Sequence, residues 1–392
     1  MVKSIKTYLK TAAKDYTSRS VNPPVVRAST ILFKTMQELR KHQKDIANQK
    51  DVEHWDYGRQ GTQTTVQLQK LLRGLEEAHQ VFLTPTGFSA VALAIMSICR
   101  PGDEIVISDG VYRPTQKLTD DLLKEFKVKA VWYDPNNFED LKSKINKKTK
   151  LIYVENPGSN TFEMQDLGKV VSLAKSKNIF TAIDNTWATA YFFKPLKLGF
   201  DMAITSATKY YSGHSDVMGG TVAVNKKVYK KVWWYNHVSG YRLSPDDAYL
   251  IIRGLRTLDI RMDKHQESTK KVINFLKTQK KISKILYPYK TTSKEFKLWK
   301  KYYSGASGLV SLIIKSKSKN SVYKFVNKLE LFGIGYSWGG FESLAVYTDP
   351  VELGNRRYFK LEKNEHLVRL HIGLEDPKDL INDLKSSLKF VK

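Results

Sequence analysis

The 392-residue chain carries 65 lysine and arginine residues against 39 acidic ones, a formal charge of +26, and 41% of its residues are hydrophobic. A chain of this length can bury a large core, and we expect about two domains. No stretch approaches the ~18–20 uncharged apolar residues of a membrane span, and residues 1–15 lack the apolar core of a secretory signal. We therefore expect no membrane partner and no secretory signal.

The positive charge raises the question of nucleic-acid binding. Most of the basic residues are lysines scattered along the whole chain, whereas base readout and bidentate phosphate contacts favour clustered arginines. The densest region, 277–301, mixes lysines with Tyr287, Tyr289 and Trp299, which is typical of a solvated surface. We expect no nucleic-acid partner, although a positive field attracts anionic cofactors and substrates.

The single cysteine, Cys99, lies in an apolar run and cannot form an internal disulfide. A buried structural thiol is the expected role. A chain with one cysteine fits a reducing compartment, so the expected location is the cytoplasm. No metal site is predicted.

Residues 1–60 are mixed in character and predict an N-terminal arm, a kind of segment that can cross onto a neighbouring subunit. The prolines in 21–26 keep that segment extended. Tyr57 and Arg59 lie on a loop just before a helix that carries Leu68, Leu71, Leu72 and Leu75, with Thr64 or Thr65 as its N-cap. The pair is either an ordinary surface contact or a fork of donors for a phosphate.

Residues 61–250 show strands alternating with helices, which predicts a large domain with a parallel or mixed doubly wound sheet. Helices are predicted over 89–100 and 166–177. The predicted strands are 81–87, 103–109, 128–134, 150–156, 179–185, 201–209 and 219–225.

Several polar residues fall just after these strands. In doubly wound sheets, functional residues gather at the carboxyl ends of strands, so Tyr112, Glu155, Asp184 and Ser206 should share one edge. The turn Gly87-Phe88-Ser89 opens a helix, and free N–H groups at a helix N-terminus can bind a phosphate.

Residues 251–392 predict a connecting helix and a smaller C-terminal α+β domain. The long helical run spans 245–279, and a glycine-rich loop at 335–343 exposes Ser337 and Trp338. Arg369 lies in an otherwise apolar strand and needs a partner, either an internal acid or a substrate carboxylate. The predicted strands are 308–314, 343–347 and 366–372, with helices near 319–331 and 377–391.

Lys209 is the residue around which these features are organised. It follows the hydroxyl residues Ser206 and Thr208 and comes 25 positions after Asp184. A lysine amine forms a Schiff base with the aldehyde of pyridoxal phosphate (PLP), and a carboxylate pairs with the protonated pyridine nitrogen. The pattern therefore suits a PLP site, against the alternative of an ordinary lysine and a strand-end acid.

Five segments together resemble the Cys/Met-metabolism PLP-dependent enzymes, most closely the cystathionine β-lyase (MetC-type) branch, over essentially the whole chain. The resemblance implies a PLP-dependent transferase fold of type I (aspartate-aminotransferase-like). It also implies a homotetramer built as a dimer of dimers with shared active sites. The segments are YGRQGT (57–62), AID (182–184), SATKYYSGHSDVMGG (206–220), SWGGFESL (337–344) and VRLHIGLED (368–376).

The resemblance also implies a role for each matching residue. Lys209 would hold the cofactor and move protons, Asp184 would pair with the pyridine nitrogen, and Tyr112 would stack on the ring. The remaining implied contacts concern the phosphate and the substrate. The phosphate would be bound by Gly87, Phe88, Ser206 and Thr208, with Tyr57 and Arg59 from the neighbouring subunit, and the substrate by Ser337, Arg369, Trp338 and Tyr57.

The implied reaction is β-elimination of L-cystathionine to homocysteine, pyruvate and ammonia in methionine biosynthesis and transsulfuration. Trp338 resembles the lyase branch, whose synthase and γ-lyase relatives tend to carry a smaller residue and a different form of the 57–62 segment. One departure is that Arg113 and Lys117 stand where several β-lyases place an acid for the distal amine. Alanine racemase, γ-lyase and γ-synthase activities stay open as alternatives, as does a basic nucleic-acid-binding protein without catalysis.

Overall fold

The computed structural model describes residues 4–13, 19–48, 56–289, 293, 295–349, 353 and 356–392. Part of the predicted arm, including His54 and Trp55, lies outside these residues. The first helices are α1 (Ile5–Thr11), α2 (Met36–Ala47) and α3 (Gln63–Glu76).

A seven-stranded mixed sheet forms the larger layer, in the order β1-β7-β6-β5-β4-β2-β3. Strands β2 to β6 run parallel, while β7 is antiparallel to both β1 and β6. The doubly wound mixed sheet predicted from the sequence is thus confirmed. Its strands are β1 (Gln80–Thr84), β2 (Glu104–Ser108), β3 (Lys129–Tyr133), β4 (Thr149–Glu155), β5 (Phe180–Asp184), β6 (Met202–Ser206) and β7 (Gly220–Val224).

Helices cover both faces of this sheet, which explains why its strands are continuously apolar. Along β4, Ile152 and Val154 pack into one hydrophobic cluster, whereas Leu151 and Tyr153 pack into another on the opposite face. A five-residue π-helix, Leu118–Leu122, separates α5 from α6. The covering helices are α4 (Gly87–Met96), α5 (Arg113–Lys117), α6 (Leu123–Glu125), α7 (Phe138–Lys144), α8 (Leu167–Ser176), α9 (Thr189–Phe192), α10 (Pro195–Leu198) and α11 (Tyr229–Ser239).

A second, four-stranded antiparallel sheet has the order β10-β11-β9-β8. The predicted helical run at 245–279 is two helices, and each predicted C-terminal strand forms within one residue of its expected position. The elements are α12 (Pro245–Leu255), α13 (Leu258–Leu276), β8 (Ile282–Leu286), α14 (Glu295–Tyr302), β9 (Leu309–Lys315), α15 (Lys319–Asn327), β10 (Leu344–Thr348), β11 (Glu365–His371) and α16 (Pro377–Ser387), with a 3₁₀ turn at Leu388–Phe390.

Two expectations need correction. The lysine-rich region 277–301 is not merely surface, because β8 and α14 form there and bury Ile285, Leu286 and Trp299. The N-cap of α3 is Thr62. The helix therefore starts two or three residues earlier than expected. The buried Thr65 hydroxyl accepts the Thr62 N–H at 2.8 Å.

The proposed division into an arm (1–60), a large domain (61–250) and a C-terminal domain (251–392) stays a prediction. The two sheets lie within the last two of these ranges. Cys99 is buried, as expected. Within the described residues, no helix combines the length and apolar character needed to cross a membrane.

A buried carboxyl ties α3 to the segment after Lys209. Glu76 is 1% exposed and accepts a hydrogen bond from the Tyr211 hydroxyl. Burial raises the pKa of Glu76 to about 7, although Tyr211 and Lys194 act in the opposite direction. The folded protein therefore keeps a proton on Glu76 at pH values where the unfolded chain has lost it.

We expect Glu76→Gln to stabilise the protein relative to wild type increasingly as the pH rises. The unfolded carboxyl binds fewer protons than the folded one between about pH 4.5 and pH 7, so wild-type stability falls across this window. Above about pH 7, the unfolding free energies of Glu76→Gln and wild type should differ by about 3 kcal/mol. Thermal unfolding at a series of pH values measures this difference. The exposed Glu125→Gln is the control, and a constant difference across the window would contradict the assignment.

Candidate active site

Carboxylates and hydroxyls meet at the carboxyl edge of the larger sheet. Glu155 and Asp184 are the last residues of β4 and β5 and lie opposite each other in register. Ser206 ends β6, and Tyr112 precedes α5 just beyond β2. The backbone N–H of Tyr112 donates to Glu155 Oε2 at 2.6 Å. The structure therefore brings together all four strand-end residues that the sequence singled out.

Lys209 lies in the turn after β6, beside a loop from the other sheet. Its Nζ donates to the Ser337 hydroxyl and lies 5.4 Å from the ring centroid of Trp338. Burial lowers the pKa of Lys209 to about 8, and the charge of Arg369 lowers it further while Asp184 opposes the shift. A larger share of the amine is therefore neutral at physiological pH than for an exposed lysine.

The two acids of this edge differ in their surroundings. Asp184 accepts the Thr186 N–H at 2.9 Å, and the Lys209 charge also opposes the rise in the Asp184 pKa that burial causes. Burial and the neighbouring Asp184 charge raise the pKa of Glu155 well above its usual value. Glu155 therefore favours its protonated form, which leaves Asp184 as the carboxylate available to a cationic ring nitrogen.

A cradle for an anion lies where α4 begins. A Cβ atom on Gly87 would stand 2.4 Å from Ser206 Oγ, so only glycine lets the first turn of α4 approach β6. Thr208 Oγ1 lies 3.0 Å from the Gly219 nitrogen and 3.2 Å from its carbonyl oxygen. The backbone amides of Gly87 and Phe88 in the first turn of α4, together with the Ser206 and Thr208 hydroxyls, are hydrogen-bond donors of the kind that bind a phosphate.

Arg369 completes the cluster from β11. It donates to the Ser337 carbonyl at 3.1 Å, and its charge lowers the pKa of Lys209. Burial raises the pKa of Tyr112, and the Arg369 charge opposes that rise. A guanidinium beside Ser337 and Lys209 is suited to an anionic group such as an α-carboxylate.

Tyr57 and Arg59 are placed elsewhere within the chain. Tyr57 pairs with Thr30 in an isolated bridge, and the guanidinium carbon of Arg59 lies 5.8 Å from the Tyr57 ring centroid. The charge of Arg59 acts on His237 and Arg242. These contacts do not include the Lys209 cluster, so a role for the pair at a neighbouring subunit stays a prediction.

Glu155 and two buried histidines, His265 and His371, belong to the surroundings of the site but were not predicted as site residues. Glu155 was noted only for its position at a strand end, and the histidines gave no motif. Within the described part of the chain, no group of three or more His, Cys, Asp and Glu side chains could hold a metal ion.

A mixed doubly wound sheet, a partly buried lysine, a strand-end carboxylate and a phosphate cradle define a PLP-dependent enzyme of fold type I. The chain belongs to the Cys/Met metabolism PLP-dependent enzyme family, whose model matches residues 6–389. Its cofactor is pyridoxal 5'-phosphate.

Individual relatives agree on the family and differ in activity. The chain is 35% identical to cystathionine beta-lyase MetC of Escherichia coli (strain K12), over 97% of each chain. It is 34% identical to the L-alanine/L-glutamate racemase of Wolbachia pipientis wMel, over 94% of this chain and 92% of the relative. The crystal structure of cystathionine gamma synthase from Xanthomonas oryzae pv. oryzae with cystathionine superposes with a TM-score of 0.90 at 27% identity, covering 100% of this chain and 99% of that one.

The lowered pKa of Lys209 predicts early reaction with aldehydes in protein stripped of its cofactor. Reductive methylation of the Lys209 amine should rise with pH through about 8, because the neutral amine is the nucleophile. Lys6, whose pKa Asp263 raises, is an internal control that should react only at higher pH. Peptide mass spectrometry measures both. Arg369→Gln should move the Lys209 profile to higher pH, and an unchanged profile would refute the role of that charge.

Proposed function

We propose that this enzyme catalyses β-elimination on L-cysteine S-conjugates, with L-cystathionine as the principal substrate. The products are homocysteine, pyruvate and ammonia, in the route that makes methionine. The observation that carries the proposal is the contact of the Lys209 amine with Ser337 beneath Trp338. This contact puts a proton-transfer group directly beside the proposed carboxylate site.

Binding comes first. Arg369 and the Ser337 hydroxyl bind the substrate α-carboxylate, which fixes the Cα–H bond relative to Lys209. Tyr112, about half exposed, would stack on the cofactor ring, and Asp184 would pair with the protonated ring nitrogen. Pyridoxal phosphate, when bound, supplies an aldehyde for amines and a ring that stabilises negative charge at Cα.

Two proton transfers follow. The neutral Lys209 amine takes the Cα proton, a task that suits an amine with a pKa of about 8. The resulting ammonium then delivers a proton to the departing sulfur as the Cβ–S bond breaks, which releases homocysteine as a thiol. Water converts the remaining three-carbon fragment to pyruvate and ammonia, so one water is consumed for each cystathionine.

The distal end of the substrate meets positive charge. Arg113 and Lys117 lie four residues apart on α5, whose N-cap is Tyr112, and so share one face of that helix. A carboxylate at the far end of the substrate suits this face better than an ammonium group. Cystathionine carries both, so we propose that its distal carboxylate is the group recognised.

A second candidate function is racemisation of alanine on the same site. It is favoured by the 34% identity to a relative named L-alanine/L-glutamate racemase. Lys209 would remove the Cα proton, and Tyr112 would return one from the opposite face. A γ-lyase or γ-synthase reaction would need a further proton abstraction at Cβ.

Product analysis tests the proposal. Incubation with L-cystathionine should yield thiol and pyruvate in equal amounts, and Lys209→Ala should reduce turnover by roughly 10²–10⁴-fold or more, because the proton-transfer group is gone. The exposed Lys226→Ala is the matched control and should retain turnover. 2-Oxobutyrate would instead identify γ-elimination, and D-alanine from L-alanine would identify racemisation. Full turnover by Lys209→Ala would end the proposal.

We also propose that the active enzyme is a homotetramer, a dimer of dimers, in which Tyr57 and Arg59 reach the phosphate of a neighbouring subunit. This is supported by the separation of the pair from the Lys209 cluster within one chain.

Mixing two inactive variants tests the shared site. Arg59→Ala and Lys209→Ala should each be impaired alone, whereas their co-expression should restore activity, because one site in a mixed dimer keeps both residues. Assaying tagged and purified mixed oligomers measures the recovery. A mixture no more active than the separate variants would show that each chain supplies its own Arg59.

A further inference from the structure

Two histidines lie buried behind the loop that carries Ser337 and Trp338. His265 on α13 is 0% exposed and His371 at the end of β11 is 1% exposed. Their ring centroids are 5.2 Å apart. The ring of Tyr210, next to Lys209 in the chain, lies 5.5 Å from Trp338 and 5.3 and 5.9 Å from the two histidines. One buried aromatic layer thus backs the proposed carboxylate site.

His371 contacts the backbone of the 335–343 loop. Its Nε2 lies 3.1 Å from the Gly339 nitrogen and 3.1 Å from the Gly340 carbonyl oxygen. A neutral ring nitrogen either accepts from the first or donates to the second, and cannot do both. The protonation of His371 therefore decides which loop peptide it binds.

The backbone of this loop adopts uncommon conformations, which a contact from outside the loop can stabilise. Ser337 has a φ of +85° and Gly339 a φ of +90°, and a side-chain residue is uncommon in this region of backbone space. A Cβ atom on Gly339 would lie 3.0 Å from the Lys209 backbone, so the loop is pressed against that lysine. The position of the Ser337 hydroxyl thus depends on what supports Gly339.

The hydrogen bond of His265 identifies which of its ring nitrogens carries the proton. Its Nδ1 lies 2.8 Å from the Ile372 carbonyl oxygen, which can only accept, so this nitrogen carries the proton and Nε2 is bare. Both His265 Nε2 and His371 Nδ1 are buried without a hydrogen-bond partner among the described residues. A proton on His371 Nδ1 leaves its Nε2 free to accept the Gly339 N–H at 3.1 Å.

We propose that His371, which packs against His265, is a positioning residue that accepts the Gly339 N–H and thereby sets Ser337 and Trp338 for binding the substrate α-carboxylate. The inference rests on the carboxylate role proposed above for Ser337 and Arg369. His371 does not touch the substrate; it acts through the loop peptide.

The surrounding charges favour neutral rings, as this role requires. Burial lowers the pKa of His371 well below its usual value, and His265, Arg369 and Lys209 lower it further while the Gly340 carbonyl opposes them. Burial likewise lowers the pKa of His265 to about 4, with Arg261 reinforcing the shift and the Ile372 and Gly373 backbone opposing it. A doubly protonated His371 would lose its acceptor and add a cation beside Lys209.

The test compares three residues at position 371. His371→Leu removes the acceptor at similar volume, whereas His371→Gln places an amide oxygen near the position of Nε2. We expect the Leu variant to bind carboxylates about 5- to 100-fold more weakly, as for loss of a buried hydrogen-bond acceptor, and the Gln variant to recover most of the affinity. His366→Leu is the control, because His366 is on the same strand but bonds Tyr347 and the Ser316 carbonyl instead.

Two readouts separate positioning from general damage. The first is the Kd of propionate for the PLP-loaded enzyme, measured by calorimetry without turnover. The second is the split between KM and kcat for the amino-acid substrate, in which KM should rise more than kcat falls. Cofactor absorbance should stay near wild type, because Asp184 and the phosphate cradle are untouched.

Several outcomes would overturn the inference. Equal propionate affinity in the Leu variant and wild type would do so, as would equal weakening by Leu and Gln, which would indicate packing alone. If the Leu variant does not fold, His371→Asn, whose shorter amide cannot reach Gly339, replaces it, and equal affinity of Asn and Gln would refute the role. A protein that binds propionate as expected but releases no pyruvate from cystathionine would contradict the proposed reaction and leave this inference standing.

Discussion

The contact between the Lys209 amine and the Ser337 hydroxyl is the interaction on which the rest of the structure depends. Lys209 follows β6 of the larger sheet, and Ser337 precedes β10 of the smaller one, so the contact exists only when both sheets are correctly placed. Side-chain bonds to backbone maintain that placement. The Tyr210 hydroxyl accepts the Gly308 N–H at 3.0 Å, and Asp109 accepts the Arg357 N–H at 2.8 Å. The packing of the two sheets is therefore part of the active site.

Much of the fold could be predicted because the larger sheet is buried on both faces. Continuous apolar runs bounded by turns identify such strands directly, and each predicted strand from 81 to 225 is present. Strand β8 of the smaller sheet was not predicted, because Ser283 and Lys284 are exposed and only Ile285 and Leu286 are buried. Pairing with β9, rather than any local pattern, makes this segment a strand.

Two helices near the start of the chain, α1 and α2, were not predicted for a similar reason. In α1 only Leu9 is buried, and in α2 only Ile46 is buried. One buried residue leaves no helical stripe for a periodicity argument to detect. Their caps at Ser4 and Thr35 were the available signals, but caps without an apolar face are weak evidence of a helix.

The residues of the site also differ in how readily the sequence identifies them. Residues proposed to act through their own chemistry, such as Lys209 and Asp184, were recognisable from type and spacing. His265 and His371 were not, because a histidine in an apolar helix or strand resembles an ordinary core residue. One sequence signal did exist: His371 is two residues beyond Arg369 in β11, and strand alternation puts both side chains on the same face.

The buried histidines also settle an electrostatic requirement of the site. In the proposed reaction the Lys209 amine takes a proton and then returns it, and a further cation behind the loop would lower its pKa further, as Arg369 already does, and leave less ammonium to protonate the departing sulfur. A leucine at position 371 would be neutral but could not accept the Gly339 N–H, and a lysine or arginine has only donors. A neutral imidazole supplies an acceptor without charge. In a chain with a formal charge of +26, neutral rings at these two positions add no further positive charge beside Lys209.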